Sequence, residues 1–464
     1  MSEPLTNPRD VAVLALRDRE GNVSAHLDRL LAASRFGPVD RSFARELALG
    51  TLRRRETLLA VLKHYLARPI EELPGVLPEV LLVALYQVLF LDRVPEFAAV
   101  NEAVEQATRF NYRRQSGLVN GVLRNIVRQL STFETGTPPV AGNIVAVGPN
   151  QFRRCERALF PDPKNKPAEY LAAAMSLPVD LAARWVQNYG PLERTVALAM
   201  QANVRAPVVL RVNALKATAP QLMERLAAAG VPVALHENGV SVVVLEHRSV
   251  IDMPGFAEGW FQPQDPTATA VGLVCAEFAM AKPGELHVLD MCAAPGTKTT
   301  HLAELMKNKG SILALDIGEA KLERINSNCQ RLGVSIVTTG LAQSAGALTP
   351  GSFDLVLADV PCTNTGVLAR RPEARWRFTA KTMGQTVRDQ QLLVATAAQF
   401  VRPGGHLVYS TCSIEPEECG ELVNRLVHRW GKCTVLREKL TLPSGGEEPT
   451  KWYDGGYCAV LRAK

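Results

Sequence analysis

The stretch Val288, Leu289, Asp290, Met291, Cys292, Ala293, Ala294, Pro295, Gly296, Thr297, Lys298, Thr299, Thr300 leaves the chain few ways to fold. An apolar strand ends at Asp290, a Pro-Gly turn follows, and a helix opens at the threonines and runs on through Leu302 and Leu305. The free N–H groups of a first helical turn, with the helix dipole, favour an anion at that spot by about 0.3–1 kcal/mol per contact near the surface. Two familiar phosphate fingerprints fail. A Walker loop needs glycine directly before its lysine, where Thr297 stands, and of a G-x-G-x-x-G only Gly296 is present. A second apolar strand, 311–315, is closed by Asp316, about where a doubly wound α/β protein grips ribose hydroxyls. Strand, turn, helix, strand, acid fits a nucleoside whose charged end is a carboxylate. S-adenosylmethionine is the commonest such molecule, and its carboxylate would sit at the helix start.

The chain has 464 residues, enough for two to four domains with separate cores. A net charge of +6 accommodates an anionic partner without requiring one. The longest apolar run, 80–91, is interrupted by Gln87 and is too short to span a bilayer. Residues 1–10 lack the basic and apolar regions of a signal peptide. A cytoplasmic protein without membrane association is expected. The nine cysteines show no C-x-x-C and no zinc-ligand rhythm, so no metal is expected. Their odd number argues for reduced thiols, most of them small buried apolar residues.

Residues 1–130 read as helical throughout, with apolar residues such as Leu58, Leu62 and Leu66 at helical spacing. They carry basic clusters at Arg53, Arg54 and Arg55 and at Arg109, Arg113, Arg114, Arg124 and Arg128. Residues 131–167 are broken by proline and glycine and are expected to be an irregular linker or insertion. Residues 168–256 mix helices with short strands, the texture of a small α+β domain. From 257 to 464, strands expected at 286–290, 311–315, 335–338, 353–358 and 406–410 alternate with helices, implying a mostly parallel sheet covered on both faces. An apolar segment at 457–461 is expected to add an antiparallel edge strand.

Ligands of open α/β sheets bind beyond the carboxyl ends of the strands, so three strand ends point at one crevice. The first is the turn after Asp290. The fourth strand runs into Asp359, Val360, Pro361, Cys362, and the fifth into Ser410, Thr411, Cys412, Ser413. Two cysteines and an aspartate thus converge beside the proposed methyl donor.

In order and spacing, 290–299, 359–362 and 410–413 resemble three signature motifs of the RNA 5-methylcytosine methyltransferases. The segment 210–216 and the triplet Gln264, Asp265, Pro266 resemble that family too. Upstream, 40–53, 86–92, 95–102 and 119–124 are similar to the helical domain shared with the antitermination factor NusB. That domain joined to this catalytic half characterises the bacterial Sun/RsmB family, which methylates a cytosine of small-subunit ribosomal RNA. The resemblance implies an all-α NusB-like bundle, a small α+β RNA-binding domain and a Rossmann-like class I methyltransferase domain using S-adenosyl-L-methionine. It makes Cys412 the nucleophile, Cys362 the group that helps remove the carbon 5 proton, and Asp359 the contact to the base. Lys298 is expected to favour a thiolate. The donor would lie against Asp290, Cys292, Ala293, Ala294, Pro295, Gly296, Thr297, Lys298, Asp316 and Asp359. Two departures stand out: Gly340, Leu341, Ala342 replace the usual adenine-binding aspartate, and Thr363, Asn364 replace Ser-Gly after Cys362.

The chemistry accounts for the residue types. Carbon 5 of cytosine is too weak a nucleophile until a thiolate adds to carbon 6, and a free thiol with pKa about 8.5 is only slightly ionised at neutral pH. The base must leave its stack to reach the thiol, which suits single-stranded or loop RNA. The basic clusters with Arg211, Arg370, Arg371 and Arg375 are candidate phosphate contacts. A monomer acting on small-subunit ribosomal RNA is expected. The alternatives are the same chemistry on transfer RNA, or a non-catalytic RNA-binding assembly factor.

Overall fold

Helix Leu77–Phe90 is apolar on every side, and the first part of the molecule is assembled around it. The computed structural model describes residues 6–18, 22–246, 248–280, 285–431 and 433–464. The chain divides into two compact units, Met1–Val204 with Arg371–Thr379, and Arg205–Arg370 with Ala380–Lys464.

In the first unit, helices Pro8–Leu16, Pro38–Arg53, Arg55–Leu62, Glu96–Arg109 and Ser116–Arg128 pack against Leu77–Phe90. The expected linker is not irregular. It forms a three-stranded antiparallel sheet from Glu134–Thr135, Ile144–Gly148 and Gln151–Arg154. Proline and glycine mark its turns and conceal strands of only two to five residues. The buried Arg153 fastens it to the bundle, donating to the Val88 carbonyl (2.7 Å) and to Glu96 Oε1 (2.6 Å). Three further helices, Pro167–Met175, Val179–Tyr189 and Leu192–Gln201, complete the unit. The later segment 371–379 is held among them by Arg375, which is fully buried. Its guanidinium donates to the carbonyls of Arg53, Ser176 and Ala202 and to Asn203 Oδ1, all within 2.8–3.0 Å. These are neutral acceptors, and burial pulls its pKa well down, with the charges of Arg53 and Arg54 adding to the effect.

The second unit begins with a four-stranded antiparallel sheet of Val208–Val212, Val233–Leu235, Ser241–Val244 and Phe261–Pro263, with helix Ala219–Ala228 against it. The main sheet has seven strands, numbered here β1 (His287–Asp290), β2 (Ser311–Asp316), β3 (Val337–Leu341), β4 (Phe353–Asp359), β5 (Val401–Thr411), β6 (Cys433–Thr441) and β7 (Gly456–Ala463). Their order is β3-β2-β1-β4-β5-β7-β6. The first five run parallel; β7 is antiparallel to β5 and β6. The segment expected at the edge therefore lies inside, and β6 forms the edge. Sequence reasoning missed β6 because Arg437, Glu438 and Lys439 make it polar and exposed, which is how an edge strand resists pairing with another chain.

Arg211, expected among the phosphate contacts, instead sits at the heart of this unit. It is fully buried and donates to Glu304 Oε1 (2.6 Å), to the Thr297 carbonyl (2.6 Å) and to Gln264. The small sheet thereby grips the helix Thr297–Leu305 that follows the turn 291–296. Burial pushes Arg211 down and Glu304 up in pKa, so each charge is tolerated only through the other. Replacing Arg211 by Met should cost about 3–5 kcal/mol, because Glu304 is then left buried and unpaired. The double variant R211M/E304L should recover much of that loss, and urea unfolding of the full chain measures both.

Candidate active site

β1 ends at Asp290, which is buried, and its Oδ2 accepts the Thr299 hydroxyl at 2.7 Å. That bond folds the turn 291–296 back onto the first turn of helix Thr297–Leu305. Gly296 caps the helix at φ +91°, a conformation that favours glycine, and a Cβ there would meet Ile325 at 3.2 Å. No side chain caps this helix start, so its first amides face outward, as a bound carboxylate requires. At the end of β2, Asp316 accepts the Ala294 amide (3.0 Å), the Ile317 amide (2.7 Å) and the Lys321 ammonium (2.9 Å). Those donors, Lys321 foremost among the side chains, hold its carboxyl below the usual range although burial works the other way. The turn and Asp316 are thus one hydrogen-bonded body. Asp290 Oδ1 is a buried acceptor without a side-chain partner. The residues present fit an amino-acid-bearing nucleoside such as S-adenosylmethionine.

β4 lies between β1 and β5, and the register pairs Leu357 with Asp290 and Asp359 with Ser410. Asp359 accepts the Lys298 ammonium (2.6 Å) on one oxygen and the Ser410 hydroxyl (2.6 Å) on the other. Burial opposes the charge on Lys298, but Asp359 outweighs it and holds the ammonium above the ordinary lysine range. Just beyond, Cys362 Sγ and Cys412 Sγ lie 3.0 Å apart. The Cys412 thiol also reaches Asn364 Oδ1 at 3.3 Å. Its hydrogen bond to Cys362, and then burial, raise the Cys412 pKa well above the ordinary range, with Lys298 pulling the other way. The same bond lowers Cys362. The expected depression of Cys412 is therefore absent in the free protein, because its nearest neighbour is another sulfur and Lys298 is already engaged by Asp359.

All the candidate chemical residues named from the sequence, Cys412, Cys362, Asp359 and Lys298, fall in this one cluster. Cys292 instead packs against the hydrophobic core of the main sheet, and burial pushes its thiol up to about 12. Sequence reasoning missed Asn364, Ser410 and Glu418. Asn364 adopts φ +61°, which asparagine tolerates, and its Nδ2 donates to the Cys362 carbonyl at 2.8 Å. The one available signal was its place two residues after Cys362. Arg53 and Arg54 are buried, and Arg54 donates to the Val147 carbonyl and lies over the Phe90 ring. Arg370 pairs with Asp454 and the Pro207 carbonyl. The exposed cations of the expected clusters include Arg113, Arg114, Arg124 and Arg128. Among the described residues no group of three or more His, Cys, Asp or Glu could hold a metal ion, and no helix is long and apolar enough to cross a membrane.

Burial, opposed by the Thr299 hydrogen bond, pushes the Asp290 carboxyl up to about 7. A carboxyl whose folded pKa is raised contributes stability that is complete in acid and lost as pH rises through that value. Asp290→Asn removes the loss. Thermal melts without ligand at about pH 5 and about pH 8 should show the variant gaining on the parent at the higher pH.

A family model described as 16S rRNA methyltransferase RsmB/F matches residues 278–448, the NusB family model matches 6–128, and a RsmF/B-like ferredoxin-like domain matches 177–252. The probable ribosomal RNA small subunit methyltransferase B of Synechocystis sp. is 33% identical over 437 residues, covering 91% of this chain and 89% of that protein. Its counterpart of the same description from Bacillus subtilis is 30% identical, covering 91% and 88%. The crystal structure of PH0851 has the same fold across 98% of this chain and 99% of that one, with a TM-score of 0.74 at 22% identity. A methyltransferase homologue from Pyrococcus horikoshii covers 63% of this chain and 98% of its own, with a TM-score of 0.53 at 26% identity. This chain belongs to the RsmB/F family of 16S rRNA methyltransferases, and its methyl donor is S-adenosyl-L-methionine.

Proposed function

We propose that this enzyme methylates carbon 5 of a cytosine in small-subunit ribosomal RNA through a covalent bond between Cys412 and carbon 6. The observation that carries the reading is the pair of thiols 3.0 Å apart at the ends of adjacent parallel strands, with Lys298 and Asp359 beside them. One sulfur alone would serve for attack. Two at this distance suit a reaction in which one sulfur bonds to the base and another takes a proton from the neighbouring carbon.

S-adenosylmethionine, when bound, supplies an electrophilic methyl group. The first-turn amides of Thr297 and Lys298 would hold its carboxylate, the 292–296 backbone would hold its methionine part, Asp290 fixes the turn through Thr299, and Asp316 would bind the ribose. Asp359 accepts from the exocyclic amine of the base and, with Lys298, holds the ring over the sulfurs. Cys412 loses its proton to water as the base enters and adds as thiolate to carbon 6, and the electron pair of the carbon 5–carbon 6 double bond moves to carbon 5, which becomes nucleophilic. After carbon 5 has gained the methyl, Cys362 as thiolate takes its proton. The electron pair of that C–H bond then re-forms the ring double bond and expels Cys412 as thiolate. The helical bundle and the small sheet contribute phosphate contacts. Arg113, Arg114, Arg124 and Arg128 are among the candidates left after the buried arginines are set aside, and they set affinity and register rather than base identity.

Cys412→Ala should abolish turnover and leave no covalent complex. Cys362→Ala should add to the base and then stall, so that a protein–RNA adduct survives denaturing electrophoresis. The opposite pattern would move the nucleophile to Cys362. Bisulfite mapping of cellular RNA from a deletion strain should show one cytosine of small-subunit RNA losing its 5-methyl mark. Loss from transfer RNA instead would change the substrate, and no loss together with no calorimetric binding of the donor would leave an assembly factor.

A further inference from the structure

Glu418 is a carboxylate with no exposed surface, and it lies between the two loops that carry the cysteines. Its Oε1 accepts the Thr363 amide (3.0 Å) and the Gln390 side-chain amide (2.9 Å). Its Oε2 accepts the hydroxyls of Thr363 and Ser413. Thr363 follows Cys362 and Ser413 follows Cys412, so a single carboxylate ties down the residue after each sulfur. Its four donors are all neutral. A buried carboxylate is costly unless every lone pair is used, and here that cost fastens two loops rather than balancing a cation.

The backbone around it is stitched in the same sense. Gly366 N donates to the Cys412 carbonyl (3.0 Å), and Ile414 N donates to Thr365 Oγ1 (3.1 Å). The loops approach so closely that a Cβ on Gly366 would lie 2.8 Å from the Cys412 carbonyl oxygen. Gln390, which holds Glu418 from the side, also donates to the Pro361 carbonyl (2.9 Å), immediately before Cys362.

We infer that Glu418 is a positioning residue that sets the distance between the Cys362 and Cys412 thiols by bridging Thr363 to Ser413. Its importance for catalysis rests on the two-cysteine chemistry proposed above; its geometric role does not.

The test separates the two. Dibromobimane becomes fluorescent once both of its bromines have alkylated thiols, so its rate of fluorescence gain reports the Cys362–Cys412 pairing with neither RNA nor donor present. The Cys362→Ser protein supplies the blank. Glu418→Gln keeps a carbonyl acceptor between the loops and should cross-link within about twofold of the parent, whereas Glu418→Ala should slow by about tenfold, as the loss of one to two net hydrogen bonds predicts. Donor binding by calorimetry should be retained in both variants. With RNA, Glu418→Ala should lose kcat with little change in KM, and Glu418→Gln should rescue most of it. Parental cross-linking by a folded Glu418→Ala protein overturns the proposal. If circular dichroism shows that variant unfolded, the decision passes to T363V/S413A, which removes both hydroxyl donors: about threefold slowing supports the bridge, and the parental rate overturns it. Failure of the Cys362→Ala protein to form any RNA adduct, with the parental cross-linking intact, would count against the chemistry and leave the bridge standing.

Discussion

Parallel pairing of β4 with both of its neighbours is the constraint on which the site depends. Because β1, β4 and β5 run the same way in fixed register, the residues leaving their carboxyl ends emerge side by side. The side-chain period of a strand is two, so a slip of one residue would turn Asp359 to the other face of the sheet and away from Lys298. The register is secured by burial on both faces. Leu355, Val356, Leu357 and Ala358 have at most 1% exposure and are flanked by Asp354 and Asp359, so a slip would carry a carboxylate into the apolar layer. Precision at the sulfurs is thus inherited from hydrophobic packing about one residue layer away.

On that scaffold the polar groups are arranged in nested pairs. Lys298 neutralises Asp359, Arg211 neutralises Glu304 under the donor helix, and Glu418 is served by neutral donors alone. The arrangement leaves Lys298 the cation nearest the reacting atoms, and it is already committed. On the proposed mechanism, a second positive charge arriving with the donor would shift the balance at Cys412 more than it would in water, since Cys412 is partly buried. On that mechanism, activation of the thiol is a property of the assembled complex rather than of the protein alone.

Much of this was legible in the sequence because the motifs and the fold report the same physics. The strand-turn-helix at 288–300 has a periodicity that switches from two to 3.6 at Pro295, and the placements of Asp316, Asp359, Cys362 and Cys412 followed from where parallel strands end. What was not legible was long-range. Nothing local distinguishes Arg211 or Arg375 from a surface arginine; their burial depends on carbonyls and a carboxylate tens to hundreds of positions away. Glu418 sits in an acidic run that reads as a solvated face until Gln390, Thr363 and Ser413 are brought round it. The short strands of 134–154 escaped because two- to five-residue strands carry too few side chains to show alternation.

The return of residues 371–379 to the first unit bears on the order of synthesis. A ribosome releases the bundle long before it makes Arg375, so the carbonyls of Arg53, Ser176 and Ala202 must wait, hydrated, while all of β1 to β4 is being translated. The amino-terminal half is therefore finished by a piece of the carboxy-terminal half. Cutting the gene at the apparent boundary near residue 204 would yield one fragment with an open seat and another with a stranded cation.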